Sequence, residues 1–126
     1  MNENQLAKVV MDCALSVHKD YGPGIFESVY EKVIVARLRS IGIGVKRQVP
    51  IHLPEKGIEH EIAFKIDLLV EGKLIVELKS VEKLTNVHRK QLLTYLRLTK
   101  LKLGLLINFD TDLVLRNGCE RVVNGL

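Results

Sequence analysis

Apolar residues recur three or four positions apart through the early part of the chain, the spacing that builds one buried helix face. This pattern predicts a helix over residues 3–18 and a second helix over residues 25–40. Between them, Tyr21-Gly22-Pro23-Gly24 ends the first helix, because proline lacks an amide hydrogen and glycine disfavours helical backbone. The residues of the second helix that we expect to face the core are Phe26, Val29, Tyr30, Val33 and Leu38.

Strand patterns follow the two helices. Residues 45–53 predict a strand that is bent or lies at a sheet edge, because Pro50 cannot donate a hydrogen bond to a neighbour. Residues 66–70 and 74–78 are apolar runs on either side of a short break with Gly72, which predicts a β-hairpin. The remaining predicted elements are a helix over 87–99, a strand over 103–109, and a terminal hairpin of 113–116 and 119–123 around Asn117-Gly118.

This element order predicts a mixed sheet flanked by helices in one compact α/β domain covering residues 1–126. The chain is 47% hydrophobic and 27% charged, as expected for a soluble globular domain. Its net charge of +4 is compatible with a polyanionic partner but too small to establish one. We expect a cytoplasmic location, because the start lacks a signal-peptide pattern and no apolar run approaches membrane-spanning length.

The predicted central hairpin carries three charged residues, Asp67, Glu77 and Lys79, in otherwise apolar strands. Asp67 and Glu77 share a face only if the hairpin loop has an odd number of residues, because successive side chains alternate between faces. We expect a three-residue loop of Val70-Glu71-Gly72 that pairs Leu69 with Lys73. Asp67 would then face Ile75, with Glu77 one diagonal step away.

Two carboxylates this close repel one another, so a compensating cation is expected, and hard oxygen ligands favour Mg²⁺ or Mn²⁺. The alternative is that Asp67 and Glu77 are edge-strand charges, or form salt bridges with Lys65 and Lys79. Spacing alone does not decide between these interpretations. The two cysteines lack a CxxC spacing, which argues against a cysteine metal centre.

Three motifs carry a resemblance to a known group of enzymes. Asp67 followed by Glu77-Leu78-Lys79 resembles the D…ExK signature of the PD-(D/E)XK nuclease superfamily, with Ile66 where the signature has proline. The segment from Gly24 to Tyr30 matches the GxxExxY pattern of one family in that superfamily. Gln91 and Tyr95 are similar to the QxxxY motif of RecB-type nucleases. The resemblance covers almost the whole chain and implies a restriction-endonuclease-like fold.

The resemblance also implies a function, that of a metal-dependent nuclease acting on DNA in preference to RNA. It implies that Asp67, Glu77, Glu27 and the carbonyl of Leu78 bind Mg²⁺, with Mn²⁺ as a substitute. Considered without the resemblance, Glu27 is a favourable charge in the first turn of a helix.

The remaining motif residues would serve the substrate and the attacking water. We expect Lys79 to orient the water, because a lysine of ordinary pKa is a poor base at neutral pH. Gln91 and Tyr95 would position the phosphate or the water. Two alternatives remain: an inactive nucleic-acid-binding or protein-interaction module on the same scaffold, and a subunit that needs a homodimer or a partner protein.

Overall fold

The structure is a computed structural model that describes residues 1–111 and 118–126. The described helices and strands follow the predicted order. They are α1 (Glu3–Tyr21), α2 (Glu27–Ser40), β1 (Val45–His52), β2 (Ile62–Val70), β3 (Leu74–Lys79), α3 (Asn86–Thr99), β4 (Leu103–Asn108) and β5 (Cys119–Val123).

The strands form one sheet in the order β1-β2-β3-β4-β5. Strands β3 and β4 are parallel and are connected through α3, whereas the other neighbouring strands are antiparallel. The predicted mixed α/β sheet is therefore confirmed. Strand β1 lies at an edge, which explains how it accommodates Pro50.

Helices cover both faces of the sheet. Helices α1 and α2 pack with Leu74, Val76 and Leu78 of β3 in one core. Helix α3 packs with Ile75 in a second core on the opposite face. Because both faces are covered, β3 is an almost continuous apolar run, and the charged Glu77 within it is only 3% exposed.

The inward face of α2 differs from the predicted one. Phe26 is 81% exposed and Val29 is also exposed, so their predicted core positions are wrong. The helix begins at Glu27 with Phe26 as its N-cap, which leaves the Phe26 side chain outside the helix. The buried residues of α2 are Tyr30, Glu31, Ile34, Val35 and Leu38.

The last strand pairs with β4 in an antiparallel register, from Leu103 opposite Val123 to Ile107 opposite Cys119. The predicted hairpin partner of this strand, residues 113–116, lies outside the described residues. Within the described residues, no helix is long and apolar enough to cross a membrane. The cytoplasmic location stays a prediction.

Gly104 of β4 permits the close approach of α3 to the sheet. A Cβ added at this position would lie 2.8 Å from both methyl carbons of Leu92, which is fully buried. We therefore expect Gly104→Ala to lower the free energy of unfolding by about 1–3 kcal/mol, the usual cost of overpacking a core. Urea unfolding measures this effect, and an unchanged midpoint would show that α3 shifts without cost.

Candidate active site

The β2–β3 hairpin has a three-residue loop, Glu71-Gly72-Lys73, so the predicted odd number of loop residues is confirmed. The register differs from the predicted one, because Leu69 pairs with Ile75 and not with Lys73. Glu71 and Gly72 both adopt positive φ angles, of 52° and 66°, and Lys73 N donates to the Val70 carbonyl at 3.0 Å. Extending this register by one step places Asp67 directly opposite Glu77, closer than the predicted diagonal.

Two hydrogen bonds link the strands where the β2–β3 ladder ends, beyond the pair Leu68 and Val76. Asp67 N donates to Glu77 Oε2 at 2.7 Å. Leu78 N donates to Asp67 Oδ2 at 2.9 Å. Each carboxylate therefore accepts a main-chain hydrogen bond from the strand that carries the other. This exchange brings the two carboxyl groups together at one end of the sheet.

Burial makes this pair of acids electrostatically costly. Desolvation, followed by repulsion from Asp67, raises the pKa of Glu77 from 4.5 to about 8. Desolvation also raises the pKa of Asp67, and the charges of Glu31 and Glu27 on α2 act in the same direction. Lys79 lowers both pKa values without cancelling the desolvation. The site is therefore a buried cluster of acidic groups, which favours the binding of a proton or another cation.

A cleft of about 200 Å³ opens beside the pair, between the start of α2 and strands β1 to β3. Its lining includes Glu27, Ser28, Glu31, Gln48, Asp67 and Leu78. Glu27 Oε1 accepts a hydrogen bond from Ser80 N at 2.8 Å, which ties the first turn of α2 to the segment after β3. Glu27 thus lines the cleft, and its metal ligation, which the motif resemblance implies, stays a prediction.

Glu31 is a cleft residue that the sequence analysis missed. It is 6% exposed, and its carboxylate accepts hydrogen bonds from Gln48 Nε2 at 2.7 Å and from an Arg47 guanidinium nitrogen at 3.0 Å. Gln48 has a positive φ of 49°, which interrupts the alternation of β1 and lets consecutive residues reach α2. The available signal was the spacing from Glu27, because residues four apart share a helix face.

The two QxxxY residues have different environments. Tyr95 is buried against Phe64, with ring centroids 5.3 Å apart, and its pKa is raised by burial and by the charges of Glu77 and Asp67. Tyr95 therefore lies within electrostatic reach of the acidic pair. Gln91, one helical turn earlier, is exposed, and its side chain makes no hydrogen bond to a described residue. Its predicted role stays a prediction.

The donor chemistry of the site fits a divalent cation. Asp67 Oδ1 and Glu77 Oε1 accept no hydrogen bond from the described part of the chain, and hard oxygen donors suit Mg²⁺ and Mn²⁺. Among residues 1–111 and 118–126, however, no three His, Cys, Asp or Glu side chains are grouped to hold a metal ion. The predicted ligation by Glu27 together with Asp67 and Glu77 therefore stays a prediction.

Tyr30 has a structural role in positioning α2. Its fully buried ring stacks on Phe109 with centroids 3.9 Å apart, and its hydroxyl donates to the Gly22 carbonyl. Tyr30→Phe is expected to lower the free energy of unfolding by about 1 kcal/mol, because the Gly22 carbonyl loses this hydrogen bond. Chemical denaturation tests this result. The control is Tyr21→Phe at an exposed tyrosine, and an equal loss there would contradict the assignment.

A comparison with known protein families identifies the superfamily to which the chain belongs. No curated protein and no solved structure gives a significant match to the chain. A sequence model of the PD-(D/E)XK nuclease superfamily matches residues 4–122, from α1 into β5, and this range includes Asp67, Glu77 and Lys79. The chain therefore belongs to the PD-(D/E)XK nuclease superfamily.

Proposed function

We propose that this protein is a metal-dependent nuclease that hydrolyses phosphodiester bonds, with DNA preferred to RNA, and that it is a member of the GxxExxY family. The observation that carries the proposal is the adjacent pair Asp67 and Glu77, whose buried carboxylates accept hydrogen bonds from the main-chain amides of Leu78 and Asp67, respectively. A purely structural pair of carboxylates would be expected to have a cationic partner, because unpaired buried charge is costly. Neither Asp67 nor Glu77 has a salt bridge to a described residue.

Nucleases of this superfamily generally use divalent metal ions, and we propose Mg²⁺, with Mn²⁺ as a substitute. Asp67 and Glu77 would hold the ion, together with the Leu78 carbonyl and with Glu27 at the cleft wall. A divalent ion supplies, when bound, an acidified water and positive charge against the phosphate. The two carboxylates themselves repel the anionic substrate, so cleavage without a cation is not expected.

Three further residues would act on the water and the substrate. The Lys79 ammonium lies close enough to lower the pKa values of both acids, and it would orient the attacking water and offset negative charge in the transition state. The Tyr95 hydroxyl, on the α3 side of the pair, would donate to the water or to a phosphate oxygen. Gln91 has an exposed amide that would contact the phosphate.

The alternative function is an inactive nucleic-acid-binding or protein-interaction module. It is favoured by the hydrogen bond from Ser80 N to Glu27, which occupies one oxygen of a proposed ligand, and by the absence of a grouped three-acid site among the described residues. In that case Asp67 and Glu77 would have a structural role only.

A cleavage assay separates these functions. Purified protein is incubated with single- and double-stranded DNA and RNA, with Mg²⁺, Mn²⁺ or EDTA, beside Glu77→Gln as the matched inactive variant. Cleavage that requires the metal and Glu77 supports the nuclease. Binding without cleavage of any of the four substrates would favour the interaction module.

Nucleic-acid affinity is expected to fall steeply with salt. The chain contains 19 lysines and arginines and few aromatic residues, so phosphate contacts supply most of the affinity. For a protein that neutralises several phosphates, the decrease between 50 and 200 mM salt is on the order of 10³-fold. Fluorescence anisotropy over this range measures the slope. Affinity that does not change with salt would contradict a phosphate-dominated interface.

A further inference from the structure

Phe26 is more exposed than any other large hydrophobic residue in the described part of the chain, at 81%. The other two phenylalanines are packed, since Phe109 is fully buried and Phe64 lies against the core beneath α3. Leaving a phenylalanine in water forgoes about 1.5–3 kcal/mol of burial free energy. Phe26 is the N-cap of α2 but makes no side-chain capping hydrogen bond. The fold therefore gives no reason for an aromatic ring at this position.

The location of Phe26 gives such a reason. It directly precedes Glu27, whose carboxylate lines the cleft and accepts the hydrogen bond from Ser80 N. The exposed Val29 follows Phe26 by three residues, which places it one helical turn further along α2. Phe26 therefore directly precedes, along the chain, the first turn of α2, whose residues Glu27 and Ser28 line the cleft.

The charged residues that line the cleft do not attract a nucleic acid. Glu27, Glu31 and Asp67 are all acidic, and they repel a phosphate backbone in the absence of a cation. An exposed phenyl ring offers a different attraction, because every nucleobase has a flat face that can stack on it. A base inside a duplex has both faces covered by its neighbours. An unpaired base presents one face to an external ring.

We propose that Phe26 is a stacking platform for an unpaired base, so that the substrate class is single-stranded nucleic acid or a single-stranded end. The proposal rests on the nuclease function proposed above. Stacking on phenylalanine tolerates any base, because the ring has no hydrogen-bonding group, so the preference is for strandedness and not for sequence. A protein partner is the less favoured occupant, because Glu27 and Ser28 beside Phe26 are polar and the patch is far smaller than a stable interface.

The test is a binding measurement with a single strand that contains 2-aminopurine and has phosphorothioate linkages to resist hydrolysis. A change in 2-aminopurine fluorescence on binding reports that the base has left its neighbours and entered a new stacking environment. Phe26→Ala is expected to weaken single-strand binding by about 5- to 150-fold, the range for loss of one stacked base. Phe26→Trp should retain the affinity, whereas Phe26→Leu, which keeps an apolar side chain without a π face, should lose it.

Ile41→Ala is the matched control. Ile41 is 64% exposed and caps the opposite end of α2, about 22 Å from Phe26 along the helix axis. This variant should bind single strands as the wild type does. Both exposed positions allow substitution without loss of the fold, and equal melting temperatures would establish this. A duplex of the same sequence should bind equally well to the wild type and to Phe26→Ala.

Several results would overturn the proposal: wild-type affinity in Phe26→Ala or Phe26→Leu, an equal loss with the duplex, or no binding of the single strand by the wild type. Cleavage of an unmodified strand is measured in parallel to separate the two proposals. Phe26-dependent binding without cleavage would retain the stacking platform and reject the nuclease function. Cleavage and binding that are both unchanged in Phe26→Ala would reject the platform and retain the nuclease.

Discussion

Glu77→Gln is expected to abolish metal-dependent cleavage and, in metal-free protein at pH 8, to increase the free energy of unfolding. The amide keeps the shape of the side chain, and its oxygen can still accept the hydrogen bond from Asp67 N that Glu77 accepts at 2.7 Å. It removes the negative charge that a hard cation requires. It also removes the repulsion between residue 77 and Asp67, which contributes to the raised pKa of Glu77.

The direction of this change in the free energy of unfolding follows from its pH dependence. The carboxyl group of Glu77 has an ordinary pKa of 4.5 and a pKa of about 8 in the folded protein. Between these values the folded protein holds a proton that the unfolded chain releases, so stability falls as the pH rises. The maximum slope for this group is about 1.4 kcal/mol per pH unit. Glutamine does not titrate, so the advantage of Glu77→Gln is absent near pH 4.5 and largest near pH 8.

Urea unfolding of metal-free protein at several pH values, with cleavage assays in Mn²⁺, measures both effects. Glu120→Gln is a control of opposite sign, because the hydrogen bonds from Arg89 lower the pKa of Glu120 and favour its charged form. That variant should lose stability at neutral pH. If Glu77→Gln unfolds more easily than wild type at pH 8, or binds Mn²⁺ equally well, Glu77 is a structural charge and the nuclease proposal loses its main residue.

Local chain chemistry was sufficient to predict the hairpin and its parity. Strand alternation makes an odd loop the condition for Asp67 and Glu77 to share a face, a three-residue loop was predicted around Gly72, and the loop has three residues. The register depended on a contact that is distant in sequence. Glu71 is held by Gly44, whose carbonyl accepts from Glu71 N at 2.8 Å and whose amide donates to Glu71 Oε1 at 3.0 Å. Local propensity contains no information about such a contact.

The environment of Glu31 was unpredictable for the same reason. A glutamate in the middle of a helix is normally exposed, and Glu31 is buried only because Arg47 and Gln48, on a different element, donate to its carboxylate. The exposure of Phe26 was also not predictable from the helical pattern. That pattern does not specify whether an apolar residue at its first position lies inside the helix, so the sequence places Phe26 in the core.

Lys79→Ala is expected to retain Mn²⁺ binding and to lose turnover by about 10²- to 10³-fold, the usual cost of removing one group that stabilises transition-state charge. Lys79 is half-buried beside Asp67 and Glu77 at the end of β3. An ammonium is not a metal ligand, so the oxygen donors of the two acids remain after the substitution. The loss should therefore appear in kcat and not in the amount of Mn²⁺ bound.

The pH dependence of metal binding distinguishes this role from a structural one. The positive charge of Lys79 lowers the pKa values of Asp67 and Glu77, so its removal raises both. Because Mn²⁺ competes with protons for the carboxylates, and Lys79 repels both, Lys79→Ala should change the pH dependence of Mn²⁺ binding while the amount bound at saturation stays that of the wild type. Calorimetric titration between pH 6 and pH 9 measures the shift. Lys73→Ala, at an exposed lysine of the same hairpin, is the matched control and should change neither turnover nor the pH profile. Full turnover in Lys79→Ala would show that the attacking water needs no ammonium beside it, and Lys79 would then have to be removed from the proposed catalytic set.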